Sequence, residues 1–336
     1  MRLRRPGSAN AGLSPRVGLL LLSALWAAAS LRTELFPAFG TDGLPPALRQ
    51  AGLFFVFAGV AGSISLARRV EFPRGRKAWA CAGIGFGLFV APAALVAFAQ
   101  GRLPTLDRVA VFSLTPVFVV VLEPYLQGSE PRQGRAALAG ALAGLAGILC
   151  VLPFDLPGSL CAVAALGALL AAALGIAATN CFAVRLARSL SGRSTLPMAA
   201  LAGVASAGCF AAAGVFAPRS VWRWSTLEHQ VPGLLVMDLP ALFLLFWLMR
   251  RIGASRMTAS FLLAPLFTIF AGLAFEPTSP PPRAWIGMAL LAGGGGWLVF
   301  APAERTEVEG LEPLNAMTVN SSRRPPPSGR TDEENE

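Results

Sequence analysis

The chain has 336 residues, of which 54% are apolar and 14% charged, and its formal net charge is +10. A typical soluble domain carries about 25% charged residues, so this composition points to lipid as the surrounding solvent. The positive balance would suggest nucleic acid in a soluble protein, but here the basic residues gather in short clusters between apolar segments. Their placement carries more information than their sum, and no nucleic-acid partner is expected.

In chain order, a basic leader at residues 1–16 precedes an apolar segment at 17–31 that is short unless it takes in Arg32 and Glu34. Further apolar segments follow at 50–67, 78–101, 109–127, 136–154, 156–184, 196–218, 231–249, 257–275 and 284–303. A helix needs about 20 such residues to cross the hydrocarbon, which gives ten expected spans. The segment at 109–127 holds Glu123 and that at 231–249 holds Asp238. The leader and its short apolar core also fit a cleavable signal peptide, whose removal would leave nine spans. After residue 302 the chain turns polar, with RRPPPSGR and DEENE, and is expected to form a disordered cytoplasmic tail.

With ten spans and both termini in the cytoplasm, the inside segments hold Arg16, Arg68–Lys77, Arg185, Arg188, Arg250, Arg251 and Arg256 among others. About three quarters of the 28 Lys and Arg then lie inside, as the positive-inside rule requires. An odd number of spans would invert the later loops and spoil the bias. The expected location is the inner membrane. The five cysteines fall inside apolar segments without metal spacing, and His229 is the only histidine. No metal or cofactor is expected.

Two apolar stretches, FSLTPVF at 112–118 and FLLAPLF at 261–267, place Pro116 and Pro265 at an interval of 149 positions. The same offset pairs Arg102 with Arg251, Gly144 with Gly293 and Gly147 with Gly296. One residue earlier in register, APAALVAF (91–98) resembles LPALFLLF (239–246) and pairs Pro92 with Pro240. The chain reads as a duplication, with a first five-helix repeat at 17–154 and a second at 155–302. An odd number of spans per half forces the halves into opposite orientations, a recurring build of secondary transporters. Each proline removes a backbone hydrogen bond, so Pro116 and Pro265 are expected to kink their helices beside a cavity and to serve as hinges or expose acceptors there. Pro92 and Pro240 are expected kinks of the same kind. Packing kinks inherited twice by duplication are the alternative.

The SALWAAAS first helix, the S/A-x-x-P-x-F pattern in the fourth and ninth spans, the WLMRRIGA stretch between the eighth and ninth, and the 5 + 5 order together resemble the EamA-type branch of the drug/metabolite transporter superfamily. The resemblance covers nearly all of 17–302. It implies a carrier, often an exporter, for small metabolites held between the halves. Two departures stand out: the Gly-Glu pair usual at the ends of the fourth and ninth helices is replaced by GSE at 128–130 and FEP at 275–277, and Trp26 is followed by Ala27 and Ala28.

Asp238 lies roughly 12 Å below the outer end of its helix. An acid at such depth costs about 2.5–3.5 kcal/mol on insertion scales and normally faces a bundle interior. It could pair with a cationic substrate group, relay a proton, or cap backbone loosened by Pro240. Glu123 sits close enough to the cytoplasmic end to lean into water. Arg32 and Glu34 could line an outer vestibule or mark the interface; two positions apart, they do not face each other. Thr179 and Asn180 could contact substrate or bond between helices. The patterns Gly83-x-x-x-Gly87, Gly140-x-x-x-Gly144 and Gly293–Gly296 suggest close helix packing. No basic residue lies near the centre of any span, which disfavours a phosphate-bearing substrate.

The sequence thus predicts an all-α membrane protein of ten helices in two inverted repeats. Its expected partners are a small-molecule substrate and the bilayer, with homodimerisation left open. The expected activity is alternating-access transport, export with proton coupling in view, and not enzymatic. A non-transporting scaffold or sensor is the main rival; a lipid enzyme would need a cluster of interfacial acids and bases that the sequence lacks.

Overall fold

The computed structural model describes residues 13–31, 46–103, 105–127, 132–151, 159–190, 195–216, 232–275 and 281–300. Every regular element among them is helical: α1 (Pro15–Ser30), α2 (Pro46–Ala67), α3 (Arg76–Gly85), α4 (Ala91–Ala99), α5 (Thr105–Phe112), α6 (Thr115–Gln127), α7 (Arg132–Val151), α8 (Leu160–Ser189), α9 (Leu196–Val215), α10 (Leu239–Arg251), α11 (Ala254–Met257), α12 (Ser260–Phe275) and α13 (Pro282–Phe300). A π-helical turn at Phe86–Val90 joins α3 to α4, and another at Leu234–Asp238 leads into α10. Arg32, Glu34 and His229 lie outside the described residues, as do the leader and the tail.

Among the described residues, seven helices are long and apolar enough to cross a membrane: Pro46–Ala67, Arg76–Ala99, Arg108–Leu126, Leu160–Ser189, Leu196–Val215, Ala254–Ala274 and Pro282–Phe300. Pro15–Ser30 and Arg135–Val151 are shorter apolar helices. With large apolar side chains such as Phe55, Trp79 and Val204 pointing outward, the chain is an all-α, multi-pass membrane protein. Helix starts follow local chemistry. Pro15 and Pro282 open α1 and α13, where a missing N–H leaves no bond broken. Ser159 caps α8 by accepting from the Ala162 N–H at 3.2 Å. Buried Ser23, Ser65 and Ser206 each donate to the carbonyl four residues back, so these three hydroxyls are buried without being orphaned.

α2 packs along α9, and α7 along α13, in the two most extensive helix pairs. α8 packs against α4 and α6, and α1 against α10 and α12. Missing side chains set the closest approaches. A Cβ on Gly147 would stand 2.6 Å from the carbonyl oxygen of Gly287, and a Cβ on Gly287 would stand 2.6 Å from that of Gly147. On α3, Gly85 faces the Ala202 backbone of α9 so closely that a Cβ would overlap the carbonyl. The expected glycine contacts shift in part: Gly293, Gly296 and Gly83 have open space beside them, and Gly287, Gly294 and Gly295 make the approach on α13.

Candidate functional site

The two π turns share a local cause. Proline cannot donate to the carbonyl four residues back, and its ring crowds that turn. Pro92 and Pro240 each stand at the second position of the α-helix that follows a π turn. Widening the preceding turn by one residue accommodates the ring, and the amide N–H of Ala91 reaches back to Phe86, and that of Leu239 to Leu234, five residues away. The turns lie 148 positions apart, the interval that pairs Pro92 with Pro240 in the sequence. π turns inside helices frequently mark functional sites.

Both turns feed one cavity of about 320 Å³, at the small end of the range for ligand pockets. The first supplies Leu88 and Phe89; the second supplies Asp238, with Ala241 and Leu242 following on α10. α1 contributes Trp26, α2 contributes Gln50 and Phe54, α8 contributes Asn180, and the α11–α12 junction contributes Met257, Ser260 and Phe261. The aromatic lining is paired: Trp26 and Phe261 lie 5.6 Å apart between ring centroids, and Phe54 and Phe89 lie 4.7 Å apart. Among the described residues Asp238 is the only charged one in the lining, and it is also engaged with other groups of the protein. Asn180 is 3% exposed yet borders the cavity, so any group entering there meets a desolvated amide able to donate and accept.

The other expected site residues stand elsewhere. Thr179 donates to the Gly175 carbonyl at 2.7 Å, and its side chain covers Gly87 in the first π turn. Glu123 on α6 accepts from the backbone N–H groups of Ala254 and Ser255, at 3.2 and 3.3 Å, at the start of α11. At the same end of the bundle, Arg185 donates to the Leu126 carbonyl and Arg188 to that of Ile252. These polar links join α6, α8 and α10–α11.

The two signature prolines are treated differently by the fold. Pro116 is buried at the second position of α6, after a break at Ser113 and Leu114. Pro265 lies within the continuous α12, while the break on that rod falls earlier, at Thr258 and Ala259. Neither proline lines the cavity. Phe261 does, and Pro265 cannot donate to its carbonyl. The lining residues that the sequence does not single out include Phe54, Phe89, Phe261, Gln50 and Ser260. They sit in apolar segments where every face of the helix reads alike, so the pointers to the region are Asp238, Asn180 and the turn distortions announced by Pro92 and Pro240.

Among the described residues no group of three or more His, Cys, Asp or Glu is placed to hold a metal. No protein-family model matches the chain, and no curated protein does. Among solved structures, one described only as "Crystal structure of protein" is similar to it, with a TM-score of 0.68 and 24% identity over 84% of this chain and 95% of that one. At that identity the likeness is one of fold.

Proposed function

We propose that the protein is a secondary carrier that moves a small organic metabolite across the inner membrane by alternating access. In this reading it has ten spans in two inverted five-helix repeats, with both termini cytoplasmic and export as the direction. The observation that carries it is the pair of π turns at equivalent positions of the repeat, both opening onto one cavity. The packing supports the same symmetry: exchanging the halves maps α2 onto α9 and α7 onto α13, and turns the partners of α1 into those of α8. The motifs that resemble EamA-type carriers agree.

The cavity favours a molecule with an apolar body and an ammonium or hydrogen-bonding group. Aromatic faces attract cations, and Asp238 supplies the charge that a cationic group, or a coupling proton, would take in exchange for its internal contacts. In this reading the links made by Glu123, Arg185 and Arg188 hold the cytoplasmic end together. Inward opening would break those links.

Reconstituted vesicles test this. Wild-type protein should move candidate amines under an imposed pH gradient. Asp238→Asn should insert normally, lose gradient-driven transport at least tenfold, and retain exchange down a concentration gradient. Undiminished driven uptake by that variant rejects the coupling role, and absence of transport by the wild type for all amines tested favours the scaffold reading.

A further inference from the structure

Away from the cavity, at the end of the bundle where α1 begins, lies a second pocket of about 220 Å³ lined by Ser14, Pro15, Arg16, Leu19, Arg251, Ile252, Arg256 and Val299. We infer that this pocket binds the phosphate of an anionic phospholipid headgroup. Three guanidinium groups reach it from three separate elements: α1, the end of α10 and the short α11. None of the described residues lining it is acidic. Arg16 lies close enough to Arg256 for their charges to repel; Arg256 is also engaged with other groups of the protein, and an anion beside Arg16 eases the repulsion that remains.

Two of the heads are held by aromatic rings. The Arg251 guanidinium stands 4.4 Å from the Trp247 ring centroid, and that of Arg16 stands 5.6 Å from that of Phe300. Such stacking leaves the planar N–H fork available for oxygen ligands and lowers the entropy lost on binding. Phosphate matches that fork bidentately. The first turn of α1 opens on the same pocket, and Ser14 makes no side-chain hydrogen bond to its helix.

A lipid is favoured over a free anion by what surrounds the charges. Leu19, Ile252 and Val299 complete the lining, and Val17, Leu21 and Phe300 stand about half exposed on the adjoining outer faces of α1 and α13. A free phosphate uses none of this apolar surface, whereas a phospholipid lays its chains along it while its phosphate sits at the helix ends. The assignment depends on the membrane-embedded fold and not on transport.

The test uses full-length protein in neutral detergent, with thermal unfolding followed as phosphatidylglycerol, phosphatidylcholine or inorganic phosphate is added. Phosphatidylglycerol should raise the midpoint by several degrees, and phosphatidylcholine or millimolar phosphate by far less. The triple variant Arg16→Gln, Arg251→Gln, Arg256→Gln should need at least tenfold more phosphatidylglycerol for the same shift. A charge-matched control, Arg74→Gln, Arg76→Gln, Lys77→Gln, should respond like the wild type. Because the pocket triple variant could fail to fold, Arg16→Gln alone, on the exposed first turn, should show a severalfold weaker response. Equal responses from the pocket and control variants overturn the site, and equal stabilisation by inorganic phosphate overturns its assignment to lipid.

Discussion

The π turns at Phe86–Val90 and Leu234–Asp238 share a backbone solution and differ in what they carry. The first ends in Phe89 and Val90 and holds Gly87 beneath Thr179 of α8. The second ends in Met237 and Asp238, and at the position equivalent to Gly87 it has Leu235, which points outward. The first is therefore clamped from outside the cavity, whereas the second leaves its outer face to lipid and turns an acid inward. In the proposed carrier the duplicated backbone shapes the cavity, and side chains present in only one copy give it polarity.

That contrast can be broken most forcefully by giving the first turn the second turn's acid. Val90→Asp should destabilise insertion by about 2.5–3.5 kcal/mol, the scale for an aspartate at depth, and folded yield should drop sharply. Normal yield would show that an acid is accommodated equally in either turn. Next in size, Gly87→Ala places a methyl 2.5 Å from the Thr179 hydroxyl oxygen and should cost about 1–3 kcal/mol, as overpacking does. The double change with Thr179→Ala should recover most of the loss, since residues in contact couple; chemical unfolding in micelles measures both. The smallest effect belongs to the second turn: Leu235→Ala should alter stability by less than about 0.5 kcal/mol, as exposed positions do. A loss comparable to that of Gly87→Ala would mean that the second turn is clamped as well.

Much of this could be read from the residues. Asp238 stood out because an acid inside an apolar run is costly, and Pro92 and Pro240 marked where two helices are distorted. The form of the distortion was not legible: a missing N–H announces a break in the ladder but leaves open whether the chain bends or widens into a π turn. Glu123 was expected to lean toward water because its partners, Ala254 and Ser255, lie more than 130 positions away. The glycine contacts were read on α13 at Gly293 and Gly296, because a sequence repeat preserves register while helix rotation decides which neighbour turns inward. Trp26 was noted as part of a motif, but its pairing with Phe261 depends on how α1 meets α12, which hydropathy does not encode.

The interlocked backbones of α7 and α13 also bear on how such a protein can change its repertoire. Neither helix lends a described residue to the cavity, and the contact between Gly147 and Gly287 leaves no room for a methyl group on either side. The cavity lining and the scaffold are thus written in separate parts of the chain. In the proposed carrier, rings and polar groups around Asp238 can be exchanged one at a time to admit a new cargo, while the meshed pair that holds the fold together is left untouched.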